Sequence, residues 1–129
     1  MSVGLVICSH SAKLAEGVAE LAGQMAKAVT IVPAGGTGDG RIGTSVELVS
    51  AAVEKLLDEG LDVAVLTDLG SATMTVESVI EALGPDRAAH VRHAEGPLVE
   101  GAVAASVAAQ IGGDLTAVAL AAQAKELFA

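Results

Sequence analysis

The sequence predicts an α/β protein of three layers, with a doubly wound, mostly parallel sheet in the strand order 2-1-3-4 and helices on both faces. The first observation is that short apolar runs alternate along the chain with longer segments rich in Ala, Glu and Leu. Such alternation is typical of a parallel sheet covered by helices, and right-handed crossovers leave few strand orders. The second observation is size, since 129 residues, 52% of them hydrophobic, predict a single domain over residues 1–129.

The strands are predicted from apolar runs that are short and continuous. Continuous runs, as opposed to alternating ones, are typical of parallel strands that are buried on both faces. The predicted strands are residues 3–8, 28–32, 63–66 and, with a weaker pattern, 88–93.

The helices are predicted from apolar residues spaced three and four positions apart, and from residues suited to helix ends. The predicted helices are residues 11–27, 45–59, 73–83, 97–111 and 114–127. In the first of them the spacing creates one apolar face, which we expect to be buried: Leu14, Val18, Leu21, Ala22 and Met25.

Composition excludes several classes of function. The chain has seven basic against 16 acidic residues, a net charge of −9, and one aromatic residue, Phe128. Binding of nucleic acid normally requires basic residues for phosphates and aromatic rings for bases, so we expect no nucleic-acid partner. The single cysteine, Cys8, permits no internal disulfide and no four-cysteine metal site. The sequence shows no signal peptide and no membrane-spanning segment, so we expect a cytoplasmic protein without a membrane partner.

Two chemically suited residues follow neighbouring strands of the predicted sheet. His10 comes directly after strand 1, and Asp68 comes directly after strand 3. Ligands of such sheets bind beyond the carboxyl ends of the strands, where the strand order reverses. A carboxylate that accepts a hydrogen bond from one imidazole nitrogen leaves the other nitrogen as a nucleophile. Because a helix N-terminus beside His10 favours an anion, the pattern predicts a histidine that carries a phosphoryl group.

Further residues at this edge are candidates for binding phosphate or a protein partner. Backbone N–H groups near Ser11, Gly70 and Ser71 are expected to hold the phosphoryl group. The glycine-rich segment 35–44 follows strand 2, is long for a connection of this kind, and lacks the order of a nucleotide-binding P-loop. Its residues Gly36, Thr37 and Asp39 are expected to shape the rim on which a partner docks.

Each candidate also has an ordinary structural interpretation. A histidine after a strand is more often a turn residue than a catalyst, and Asp68 is suited to capping the next turn. Cys8 is expected to be a buried strand residue, with a reactive thiol as the minor alternative. His90 and His93 are expected at an edge strand, since a metal pair needs a third ligand that the sequence does not offer. Met25 and Met74 are expected in the core.

Several blocks of sequence carry a family resemblance that spans most of the chain. The blocks cover residues 4–11, 14–18, 35–37, 39–40, 42–45, 68–77 and 97–102. They resemble the DhaM family, the phosphocarrier subunits of phosphoenolpyruvate-dependent dihydroxyacetone kinases, and more broadly the mannose-type IIA domains of the sugar phosphotransferase system.

The resemblance implies a fold, a reaction and partners. It implies that His10 is phosphorylated, that Asp68 orients it, and that the carrier is a homodimer with the mannose-type IIA fold. It also implies that phospho-HPr, a separate protein, donates the phosphoryl group. The acceptor would be ADP held by the DhaL subunit, and the resulting ATP would phosphorylate dihydroxyacetone on DhaK. The carrier itself would bind no cofactor and no metal. The alternatives are a sugar-transport IIA component that passes phosphate to a IIB protein, and a non-catalytic sensor module.

Overall fold

A computed structural model describes residues 2–128, which form a four-stranded parallel sheet in the order β2-β1-β3-β4. The strands are β1 (Val3–Ser9), β2 (Ile31–Gly35), β3 (Asp62–Thr67) and β4 (Val91–His93). The predicted fold class and strand order are therefore confirmed. The ends of the predicted domain, Met1 and Ala129, lie outside the described residues.

Helices cover both faces of the sheet. They are α1 (Ala12–Met25), α2 (Val46–Asp58), α3 (Gly70–Ala82), α4 (Pro85–Ala88), α5 (Leu98–Gln110) and α6 (Leu115–Ala121), followed by a 3₁₀ turn at Lys125–Phe128. Side chains of α1, α5 and α6 join one core cluster, and side chains of α2 and α3 join the other.

The central strand β1 separates these two cores. All its residues are buried, and successive side chains point to opposite faces. Leu5 and Ile7 pack into the cluster on the α1 side, whereas Val6 and Cys8 pack into the cluster on the α2 side. Burial on both faces explains why the strand is a continuous apolar run.

The boundaries of several elements differ from the predicted ones. Strand β2 begins at Ile31 and not at residue 28, because Val29 N–H donates to Ala26 in a turn and Leu5 pairs with Ile31. Helix α3 begins three residues earlier than predicted, at Gly70. The short helix α4 was not predicted, and the last long helix ends at Ala121. The positive φ of Ala124, 52°, is incompatible with a helix that continues to residue 127.

The expected buried face of α1 is wrong in part. Ala15, Val18 and Ala22 are buried, but Leu14, Leu21 and Met25 are 42%, 47% and 55% exposed. Small alanine side chains let the helix approach the sheet closely, which rotates the larger side chains toward solvent. Met74 is also exposed, at 69%, and is not a core residue.

Gly35 sets the position of the start of α1. A Cβ atom at this position would lie 2.5 Å from the Ser11 carbonyl oxygen and 2.9 Å from Ala12 Cα. Only glycine allows the end of β2 to approach so closely. This contact fixes the helix N-terminus that directly follows His10.

Candidate active site

Parallel pairing of β1 with β3 brings His10 and Asp68 together. Cys8 pairs with Thr67, so the residues that follow these two strands leave the sheet side by side. Residues 58 positions apart in sequence therefore meet beyond the carboxyl ends of the strands, at the point where the strand order reverses.

The Asp68 carboxylate organises the turn that carries His10. Its Oδ1 lies 2.9 Å from His10 Nδ1, and its Oδ2 accepts the His10 backbone N–H at 3.0 Å. Oδ2 also accepts the Ser9 hydroxyl at 2.8 Å. Contacts to both the ring and the backbone fix the orientation of the imidazole. The carboxylate selects the tautomer with its proton on Nδ1, which leaves a lone pair on Nε2.

The second ring nitrogen faces the start of α3. His10 Nε2 lies 2.5 Å from Ser71 Oγ. Helix α3 begins at Gly70 after Leu69, which provides no side-chain cap. First-turn N–H groups without a cap are suited to binding an anion, and the helix dipole favours negative charge at the same place.

Asp68 is held in its charged form. Partial burial alone would raise its pKa, but hydrogen bonds from the His10 backbone, the His10 ring, Ser9 and Leu69 prevail, and the pKa lies below the usual value of 3.8. The side chains of His10 and Asp68 are 18% and 13% exposed. The pair is thus sheltered, yet His10 remains reachable from solvent.

The other predicted site residues take different positions. Ser11 caps α1, because its hydroxyl accepts the Leu14 N–H at 3.2 Å. Gly36 donates its N–H to the Ser9 carbonyl at 3.1 Å, with φ of 74°. These two residues therefore support the His10 turn from either side through backbone and capping contacts.

Thr37 and Asp39 contact each other and Arg41. The Thr37 hydroxyl donates to the Asp39 carboxylate, which also accepts Arg41 Nε at 2.9 Å. The hydrogen bonds with Arg41 and then Thr37 lower the pKa of Asp39 to about 2. Among the described residues, no hydrogen bond joins Thr37 or Asp39 to His10, and their role in a docking rim stays a prediction.

The segment after β2 crosses the site and reaches α3. Gly43 N–H donates to the His10 carbonyl at 2.8 Å, and Thr44 Oγ1 lies 2.8 Å from Thr75 Oγ1. Exposed apolar side chains stand near this crossing and around the start of α3: Ile42, Leu69 and Met74.

Sequence reasoning missed the role of Ser9 and the link between Thr44 and Thr75. Ser9 is the buried last residue of β1, and the available signal was a hydroxyl residue between the apolar run 3–8 and His10. The threonine link had no signal in the sequence, because its two residues lie 31 positions apart in segments with no fixed register.

Cys8 and the remaining histidines lie outside this set of contacts. Cys8 is buried, and burial, helped by the charge of Asp68, raises the pKa of its thiol to about 11, which disfavours the reactive form.

His90 Nδ1 lies 2.8 Å from Asp62 Oδ1, whereas His93 Nε2 lies 2.9 Å from Thr67 Oγ1. The two histidines thus have different partners, and residues 2–128 contain no group of three or more His, Cys, Asp or Glu suited to a metal ion. Within the same range, no helix has the length and apolar character needed to cross a bilayer.

Comparison with known proteins defines the class. Residues 4–119 match the EIIA-man family model, described as the PTS system fructose IIA component. The chain belongs to this family. A solved structure of a protein of unknown function is 30% identical, has a TM-score of 0.87, and is matched over 96% of this chain and 95% of its own.

Within the family, the chain is similar to proteins named DhaM. The DhaM phosphoryl donor subunit of the PEP-dependent dihydroxyacetone kinase of Escherichia coli is 44% identical over 88% of this chain and 25% of its own length. The phosphotransferase subunit DhaM of Lactococcus lactis is 35% identical over 92% of this chain and 91% of its own. The chain thus spans about a quarter of the Escherichia coli relative and most of the Lactococcus one.

Proposed function

We propose that this chain is a phosphohistidine carrier of a dihydroxyacetone kinase, which accepts a phosphoryl group from phospho-HPr and passes it to ADP held by a DhaL subunit. One observation carries the proposal: His10 is oriented by Asp68 through Nδ1, and its Nε2 faces Ser71 and the uncapped start of α3. The names of the similar proteins, phosphoryl donor and phosphotransferase subunits, support the same chemistry.

The proposed transfer is a pair of in-line displacements. The Nε2 lone pair of His10 attacks the phosphorus of the donor phosphohistidine, so that a new P–N bond forms as the donor P–N bond breaks. The Ser71 hydroxyl, which donates to Nε2 beforehand, turns to donate to a phosphoryl oxygen. In the second step a terminal oxygen of ADP attacks the phosphorus, the bond to Nε2 breaks, and ATP forms on the partner. Such reactions depend on positioning and charge stabilisation more than on covalent machinery.

The local electrostatics suit a temporary carrier. Asp68 stabilises positive charge on the ring while the phosphoryl group is attached, and first-turn N–H groups of α3 provide partial positive charge for its oxygens. Among the contacts of His10 described above, no lysine or arginine is present. A full positive charge would hold the phosphoryl group more tightly and slow its departure. Weak stabilisation favours a group that has to be passed on.

The other parts of the proposal concern assembly. In it the nucleotide belongs to DhaL, so this chain needs no cofactor and no metal of its own. The proposal also includes a homodimer that works in the cytoplasm, where phospho-HPr and the kinase subunits would meet it. The rim formed by segment 35–44 would be the part that meets both proteins.

A reconstituted relay tests this function. The chain is incubated with phosphoenolpyruvate, enzyme I and HPr, and then with DhaL·ADP, DhaK and dihydroxyacetone. We expect intact mass to increase by one acid-labile phosphoryl group, and the group to disappear as dihydroxyacetone phosphate forms. If the chain gains the phosphoryl group and passes it to a IIB protein but not to DhaL·ADP, the chain is a sugar-transport component. No gain from phospho-HPr would contradict the carrier role.

A further inference from the structure

A chain of hydrogen bonds closes the turn between β3 and α3. Thr67 Oγ1, at the end of β3, lies 3.1 Å from Thr73 Oγ1, in the first turn of α3. The same Thr67 oxygen lies 2.9 Å from His93 Nε2, at the end of β4. The two threonines bracket residues 68–72, the connection 68–69 and the first three residues of α3, which include both Asp68 and Ser71. This small group, Thr67, Thr73 and His93, is called the clasp below.

The clasp acts on the two contacts that hold His10. Asp68 follows Thr67 directly and binds His10 Nδ1, while Ser71 lies two residues before Thr73 and contacts His10 Nε2. A rotation of the Thr67 side chain would break its contact with Thr73, one of the links between the end of β3 and the start of α3. The distance between Asp68 and Ser71 would then be less well defined.

The Thr67 hydroxyl contacts both His93 and Thr73, and the tautomer of His93 sets the direction of the two hydrogen bonds. A hydroxyl has one proton, so it can donate to one neighbour while it accepts from another. With Nε2 as acceptor, Thr67 donates to His93 and accepts from Thr73. With Nε2 protonated, His93 donates to Thr67, and Thr67 donates to Thr73. Both arrangements satisfy Thr67, and both require the imidazole.

We propose that His93 is a positioning residue for phosphoryl transfer, acting through Thr67 and Thr73 on Asp68 and Ser71. The proposal rests on the proposed function, because it concerns the same site. His93 makes no hydrogen bond to His10 among the described contacts, so its effect is indirect. It is half-buried in a cavity of about 200 Å³ in which the charged neighbours are Arg92 and Glu95 and the lining from α6 is uncharged.

Matched variants separate positioning from packing. His93→Leu removes the hydrogen bond and keeps similar bulk, whereas His93→Gln keeps a polar group near the position of Nε2. His90→Leu is the control, since His90 precedes β4 and contacts Asp62 at the amino-terminal ends of β3 and β4, whereas the site lies at the carboxyl ends. Transfer from phospho-HPr is measured as kcat and KM, together with the melting temperature of each variant.

We expect His93→Leu to lower kcat about tenfold and to change KM by no more than about twofold. Misplaced reacting groups slow the phosphoryl transfer within the bound complex, but they do not weaken binding of phospho-HPr. His93→Gln should restore most of kcat, and His90→Leu should retain it. Thr67→Val should match His93→Leu, and the double variant should be no slower than either single one, as expected for residues that act as one unit.

The outcomes also distinguish this proposal from the proposed function. Wild-type kcat in folded His93→Leu, or an equal loss in His90→Leu, would overturn the clasp and leave the carrier role intact. A raised KM with unchanged kcat would make His93 a docking residue instead. If wild-type protein takes up no phosphoryl group, the carrier role fails. The amide resonances of Gly70 and Ser71 then still test the clasp, which predicts that they shift in His93→Leu and not in His90→Leu.

Discussion

His10→Ala is expected to abolish phosphoryl uptake from phospho-HPr and to leave the fold intact. The Nε2 atom proposed as the nucleophile is lost, and neither Ser71 nor Asp68 has a nitrogen that could form the acid-labile P–N bond. We expect the rate to fall by about 10³-fold or more, the scale for loss of a covalent nucleophile. The ring lies at the edge of the sheet and contributes little to either core, so the melting temperature should change by a few degrees at most. Intact mass after incubation with the donor relay measures uptake.

His90→Ala is the matched control for this loss. It removes a histidine that also pairs with an aspartate, Asp62, but at the amino-terminal ends of the strands. Full uptake by His90→Ala together with none by His10→Ala assigns the phosphoryl group to His10. A phosphoryl group on folded His10→Ala would show that another residue carries it.

Asp68→Asn is expected to slow transfer by about 10²–10⁴-fold, with the partner KM unchanged. The asparagine amide can donate to Nδ1, which selects the tautomer with its proton on Nε2, and a protonated Nε2 has no lone pair for attack. A change of this kind in a catalytic histidine–aspartate pair costs about 10⁴-fold. Single-turnover transfer from phospho-HPr measures it, and a rate within twofold of wild type would remove Asp68 from the mechanism.

The same variant has a distinct dependence on pH. The folded-state pKa of Asp68 is lowered below 3.8, so its charged form stabilises the fold above the unfolded-state value, and this contribution is lost as pH falls through the folded value. Asparagine does not titrate. The difference in unfolding free energy between wild type and Asp68→Asn should therefore shrink as pH is lowered from neutral through 4 and below. A difference that stays constant over that range would mean that the Asp68 charge contributes nothing.

The central pair of the site followed from the sequence because topology alone brings it together. In a parallel sheet, residues that follow adjacent strands emerge at the same edge, so His10 and Asp68 had to be neighbours once β1 and β3 were paired. The other hydrogen-bond partners of His10 and Asp68 depend on where each helix begins, which apolar spacing does not determine. Ser71 faces His10 because α3 begins at Gly70, three residues earlier than its apolar spacing indicated.

Errors in the predicted fold have a similar origin. Apolar spacing in α1 identified the helix but not its rotation, since buried Ala15 and Ala22 pack more closely than the larger Leu14 and Leu21. The clasp joins Thr67 to His93 across 26 positions of sequence, and the apolar pattern that marked β4 does not show where the His93 ring points.

In the proposed mechanism, Asp68 holds Nδ1 of His10 while Nε2 carries the phosphoryl group. The most direct test is heteronuclear ¹⁵N–³¹P NMR of the phosphorylated chain, labelled at histidine, since phosphorus couples to the nitrogen that bears it. We expect the coupling at Nε2 of His10, with Nδ1 still protonated. Coupling at Nδ1, or at a ring nitrogen of His90 or His93, would contradict the proposed mechanism.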